Sequence, residues 1–215
     1  MPARRTISDR DEARKEVLRA AIDCFAKYGY AATSIDRIAK AAGVTKGALY
    51  YHFKDKEELL LESVRTRIGQ FERRVLQEVE PRGSAADALR GLARICFDHA
   101  TRSNHRRLIV TLMVEALDTH PALEKLFRDM MRRFRSFLAD IVRSGQRRGE
   151  FRTGVDARLA AELFAGAVMG VEIQYYQDPK HFDLARALDA YSEQFIQWLA
   201  PADNGGRPRP QNAGG

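Results

Sequence analysis

The 215-residue chain has only two cysteines, Cys24 and Cys96, which lie far apart with no second Cys at metal-ligand spacing. Neither a disulfide framework nor a metal site is expected, and each thiol reads as a small buried hydrophobe. No apolar run approaches the roughly 20 residues that a membrane-spanning helix needs, and the N-terminus lacks the apolar core of a signal peptide. A reducing cytoplasm is therefore the expected compartment, with no membrane partner. Catalytic constellations are missing as well: there is no phosphate-cradling glycine loop, no zinc spacing, no carboxylate pair in an apolar setting and no recognisable Ser/His/Asp set. His99, His105, His120 and His181 follow no partner pattern and read as surface or capping residues. No catalytic residue, cofactor or metal is expected.

What is present is charge of one sign, unevenly placed. The chain is 45% hydrophobic and 30% charged, enough for a buried core, and carries a formal charge of +7 with a pI of about 9.6. Residues 1–56 hold 12 Lys and Arg against 7 Asp and Glu, a surplus of five that leaves a surplus of only two for the other 159 residues. A basic footprint concentrated at one end suits a polyanionic partner.

Within that footprint, Ile35, Ile38, Ala39 and Ala42 repeat at helical spacing and stop at Gly43; a second run starts at Thr45, with Leu49 and Phe53 inward. This is a helix, a tight turn and a helix, with Ala39 where the backbones approach and Gly43 where the turn takes a positive φ. Thr33 and Asp36 read as a capping box for the first helix. Thr45, Lys46, Gly47, Tyr50, Tyr51 and His52 are left for the outer face, a set that a core would reject and that suits phosphate oxygens. The run from Gly43 through Val44-Thr45-Lys46-Gly47-Ala48-Leu49-Tyr50-Tyr51-His52-Phe53 to Leu59 resembles the DNA-binding signature of the TetR (tetracycline-repressor-like) family of bacterial regulators. The resemblance covers the first quarter of the chain and implies contacts with double-stranded DNA from these positions. Lys46, Gly47 and Tyr50 are expected at base edges, Gly47 because a missing side chain lets the backbone come close; Thr33, Ser34, Thr45, Tyr51, His52 and Lys56 are expected at phosphates.

The remainder reads as helix throughout. Met1 to Ile7 is a basic arm whose Arg4 and Arg5 either reach phosphates or fray; Ser8 and Asp11 cap the first helix, and Gly29 ends it. Asp55 and Glu58 start a long helix to about Val79, broken at Pro81-Arg82-Gly83, and Ser84 with Asp87 caps the next. The apolar run from Leu108 to Leu117 is expected to be a central helix buried all round, Pro121 to open a long amphipathic helix, and two last helices to run from about Asp156 to Tyr176 and Asp183 to Leu199. The fold expected is thus all-α, about nine helices: a three-helix helix-turn-helix DNA-binding head at 8–54 (motif about 34–53), a ligand-binding and dimerisation bundle at 55–200, and a disordered tail at 201–215.

One short recognition helix reads too few base pairs for specificity, so a homodimer on a palindromic operator is expected, with the last two helices as its interface: Ala160, Phe164, Val168, Val171, Phe195 and Trp198. An effector, hydrophobic or aromatic, is expected among Phe97, Met113, Phe127, Met130, Met131, Phe134, Met169 and Tyr175, with His99, Glu115, Glu172 and Gln174 as polar anchors. Glu115 alternatively sits at its helix's exposed edge or pairs with an arginine such as Arg106 or Arg132. The function expected is a repressor released by that effector. Two alternatives stay open: a ligand-independent architectural or division-associated DNA-binding protein on the same fold, and an enzyme with a nucleic-acid-binding head.

Overall fold

The computed structural model describes residues 7–79, 83–102 and 104–201, with the side chains of the first helix described from residue 11. The basic arm with Arg4 and Arg5, the Ser8 cap, Pro81-Arg82 and the tail beyond Pro201 lie outside the described residues or side chains. Among those described there are nine helices and no strands: α1 (Ile7–Tyr28), α2 (Ile35–Ala41), α3 (Lys46–His52), α4 (Lys56–Val79), α5 (Ala85–Thr101), α6 (His105–Glu115), α7 (Pro121–Arg147), α8 (Ala157–Gln177) and α9 (Leu184–Leu199).

Capping chemistry explains most of these boundaries. Ser84 and Asp87 form a reciprocal box at the start of α5, and Asp156 and Asp183 accept from the first backbone amides of α8 and α9. Asp55 accepts from the amide of Glu58 while the Glu58 carboxylate accepts from the amide of Lys54, closing the entry to α4. The cap of α2 departs from expectation. Ser34, not Thr33, accepts from Arg37 N, and the Thr33 hydroxyl turns inward to donate to Gly29 O at 2.7 Å and Cys24 O at 3.2 Å.

Two hydrophobic cores share α4. Its first half, Leu59 to Ile68, packs with Val17, Ile22 and Phe25 of α1, Ile38 of α2, Leu49 of α3, Ile109 and Leu112 of α6 and Leu123 and Phe127 of α7. Its last turn, Val75 and Val79, joins α5, the C-terminal half of α7, α8 and α9. The head therefore leans on α6 and α7 as well as on its own helices, and the handover between the cores falls inside α4 rather than at its start. Expected burial fails at the end of α6 and in the turn after it, where Val114 and Leu117 are 63% and 59% exposed. Its apolar run supplies more hydrophobic side chains than its inward face can take.

Candidate functional site

The turn between α2 and α3 is held by the amide of Val44 on Ala39 O at 3.0 Å, with Gly43 at φ +66°. That conformation strains any L side chain, which accounts for the glycine. Thr45 caps α3 by accepting from Ala48 N at 3.1 Å; Leu49 and Phe53 are buried and anchor the helix, while Lys46, Gly47, Tyr50 and Tyr51 face solvent. Tyr51 is 71% exposed, a position that costs hydrophobic stabilisation unless something covers the ring. A Cβ on Gly47 would meet nothing closer than Thr45 Oγ1 at 4.0 Å, so packing within the chain does not require a glycine there.

Around this helix the cations are held by weak, exposed contacts. Lys46 Nζ lies 3.0 Å from Asp36, and both side chains are more than half exposed, so the pair contributes little and a phosphate can displace it. Lys56 Nζ sits 4.3 Å over the ring of Tyr30 and donates to Ala31 O at 3.4 Å. Arg37, which sequence reasoning passed over, lies on the exposed start of α2 with its guanidinium 4.3 Å from the Tyr28 ring centre and one nitrogen on Ala32 O. A charged residue one turn from the capping Ser34 was the available signal. Ser34 is exposed and His52 half-buried beside Tyr51, but Thr33 is 1% exposed. Its side chain belongs to the α1–α2 joint, which corrects its placement among the phosphate contacts.

In the bundle a cavity of about 240 Å³ opens between α4, α5, α6, α7 and α8. Of the expected lining, Met130, Met131, Phe134 and Met169 are in the wall, joined by Phe71, Val75, Leu76 and Phe137 and by Val168, which was expected at the dimer interface. The other expected residues lie elsewhere. Phe127 is 4% exposed in the core that the first half of α4 shares with the head, and Met113 packs against that core; Phe97 and Tyr175 pack against the core of α5, α7, α8 and α9. Glu115 is exposed at the end of α6, and Gln174 is exposed on α8. His99 stacks on Phe71, ring centres 4.7 Å apart, behind the wall; burial first, then the charges of Arg106, Arg67 and Arg74, pushes its pKa down to about 3. Glu172 is fully buried and binds Arg106, and it is Arg106 that reaches the cavity. Sequence reasoning missed Phe71, Phe137 and Arg106 because the cavity is set by which helix faces diverge, and a single helix pattern carries no record of that.

The expected dimer contacts divide the same way. Ala160, Phe164, Val168 and Phe195 are at most 5% exposed inside this chain, and Val171 packs partly buried against the same core; only Trp198, at 38%, stands on the surface. Helix α8 is apolar on two faces, and the outward one carries Leu159 and Leu163, each about half exposed, with Ile173; a Cβ on Gly166 or Gly170 would meet nothing within 4 Å. The buried face lies against α7 and α9.

Among the described residues no group of acidic, Cys or His side chains is disposed to hold a metal, and no helix is long and apolar enough to cross a membrane. Residues 17–63 match the bacterial regulatory proteins of the tetR family, and residues 85–199 match the C-terminal region of the BetI-type transcriptional repressors. The fatty acid metabolism regulator protein of Bacillus subtilis is 25% identical over 186 residues, 86% of this chain and 94% of that protein. A transcriptional regulator from Saccharomonospora viridis, solved in complex with choline, superposes with a TM-score of 0.78 at 24% identity, covering 87% of this chain and 96% of that one. FadR of B. subtilis in complex with stearoyl-CoA superposes at 0.71 with 24% identity over 86% of this chain and 97% of that one. The helix-turn-helix head, the helical bundle behind it and these two adjoining matches place the chain in the TetR family of bacterial transcriptional regulators.

Proposed function

We propose that the chain is a homodimeric repressor whose two heads bind a palindromic operator and which a small hydrophobic or aromatic effector in the bundle cavity releases. The observation that carries the reading is the course of α4. Leu59 to Ile68 lie in the core of the head, and one turn further on Phe71 and Val75 form the cavity wall, so one helix belongs to both sites. A ligand that wedges α4 and α7 apart acts directly on the scaffold that carries α3. Release needs differential affinity: moving a 1:99 population to 99:1 takes about 5.5 kcal/mol between the two states, so tight binding alone does nothing.

Lys46, Gly47 and Tyr50 are assigned to base edges, with Ser34, Thr45, Tyr51, His52, Lys56 and Arg37 on phosphates. The outward stripe of α8, Leu159, Leu163, Gly166, Gly170 and Ile173, with Trp198 of α9, is assigned to the dimer contact in place of the buried residues beside it. The choline and stearoyl-CoA complexes of relatives support small-molecule control as a class, without naming this chain's effector.

The test is a thermal-shift screen of metabolites and hydrophobic drugs, with hits carried into a mobility-shift assay on the DNA upstream of the protein's own gene. Hits are expected to release the protein from that DNA. Compounds that stabilise the protein but leave DNA binding unchanged would favour the ligand-independent alternative.

A further inference from the structure

The cavity is apolar but for three charged side chains, and they are not equivalent. Glu72 and Arg133 pair with each other at 2.9 Å with side chains 34% and 52% exposed, so they satisfy one another at the solvent side. Arg106 is the inner one, its side chain 12% exposed. It donates Nε at 2.9 Å and Nη2 at 2.6 Å to the same oxygen, Oε2 of Glu172, instead of spanning both oxygens as a fork. Two vacancies result. Glu172 Oε1 is buried without a partner, and Nη1 of Arg106, on the residue that lines the cavity, makes no hydrogen bond among the described residues.

Resting on the reading of this cavity as the effector site, we propose that the effector carries an uncharged carbonyl-type oxygen on an apolar body and that Arg106 Nη1 is the residue atom that selects it. Charge decides between the classes. A cationic head would meet a guanidinium whose only carboxylate is buried behind it. An anionic head would compete with Glu172 for one guanidinium, and the other cation of the cavity wall, Arg133, is already paired with Glu72. A hydrocarbon would leave a desolvated donor unmet. An uncharged acceptor satisfies Nη1 and leaves the Arg106–Glu172 pair whole, while Phe71, Met131, Phe134 and Phe137 take the apolar body.

Four probes of similar shape separate these cases by calorimetry: butyrophenone, butylbenzene, 4-propylbenzoate and 4-propylbenzylammonium. Butyrophenone is expected to bind about tenfold or more tighter than butylbenzene, the worth of one hydrogen bond to a charged donor, with both ions weaker than either. Glu172→Gln, which leaves the guanidinium uncompensated, is expected to move the preference to 4-propylbenzoate. Because Arg106→Met alone would strand the Glu172 charge, the paired variant Arg106→Met with Glu172→Met is used, with thermal unfolding as the check on its fold. It should keep butylbenzene binding and lose the preference for the ketone. Equal affinity of the native protein for butyrophenone and butylbenzene, or a ketone preference that survives in the paired variant, would overturn the assignment. If none of the four binds, the cavity itself is not an effector site and the inference falls with it; if the ketone preference holds but DNA is not released, the release mechanism fails and the recognition by Arg106 stands.

Discussion

At the scale of single residues, function and stability separate most cleanly at Gly47. It is the second residue of α3, in the first helical turn, where glycine costs at most the about 0.5–1 kcal/mol relative to alanine of a helix middle, and no neighbour crowds its missing Cβ. Gly47→Ala is therefore expected to leave the melting temperature unchanged or raise it while lowering operator affinity; affinity unchanged alongside a raised melting temperature would remove Gly47 from the DNA contact. Lys46 and Lys56 differ in kind. Lys56→Ala should weaken all DNA sequences alike and reduce the slope of affinity against salt by about one, whereas Lys46→Ala should relax preference at particular base pairs. A Lys46 variant with an unchanged profile across operator mutants belongs with the phosphate contacts. His99 carries a different prediction. Its ring is held neutral down to a pKa of about 3 against 6.5 in the unfolded chain, so the unfolded state binds the extra proton between those values. Its contribution is fully present above pH 6.5 and is lost as pH falls toward 3, roughly 2 kcal/mol by pH 5. Urea unfolding of His99→Phe at pH 7 and pH 5 should show that much less acid destabilisation than the native chain.

At the scale of elements, what the sequence made legible is what local chemistry decides. The ends of α5, α8 and α9 follow from Ser84, Asp156 and Asp183, and the α2–α3 turn from Gly43, since each rests on a backbone amide or a φ angle within four residues. Thr33 and Ser34 show the limit of that logic: both are capping residues one position apart, and the choice fell to Ser34 because the carbonyls of Cys24 and Gly29 claim the Thr33 hydroxyl. Faces of helices are a tertiary outcome. Helix α8 has apolar residues on both sides, so its pattern marks two interfaces without saying which is internal, and the dimer residues expected from it landed in the core. The outward stripe gives the corrected prediction: Leu163→Glu is expected to yield a monomer by sedimentation at micromolar concentration and to cut operator affinity; because the side chain is already half exposed within the chain, its melting temperature should fall only by the lost dimer linkage and lose its dependence on protein concentration while the fold is kept. Gly145 is the contrasting case inside one chain. A Cβ there would lie 2.3 Å from Phe151 Cδ2 and 2.8 Å from Ala85 Cβ, so Gly145→Ala should destabilise by about 1–3 kcal/mol with DNA contacts untouched.

At the scale of the whole molecule, the head and the cavity meet on consecutive residues of α6. His105 Nε2 lies 2.5 Å from Asp23 Oδ1 of α1, in the head, and Arg106 turns the other way into the cavity with Glu172 of α8 behind it. Ile109 and Leu112 then bury the rest of the helix against the head core. A change in the hydrogen bonding of Arg106 is thus one peptide bond from a polar contact between α6 and α1, and the two cannot shift independently while the helix stays intact. Linkage makes this measurable, because the factor by which an effector weakens operator binding is the factor by which operator weakens effector binding. His105→Ala removes the grip on Asp23 and leaves the cavity wall as it was. It should bind effector to the free protein with native affinity, yet show a smaller ratio between operator affinities without and with effector. Loss of effector binding itself would mean that His105 shapes the cavity, and a native ratio would mean that the signal travels along α4 alone.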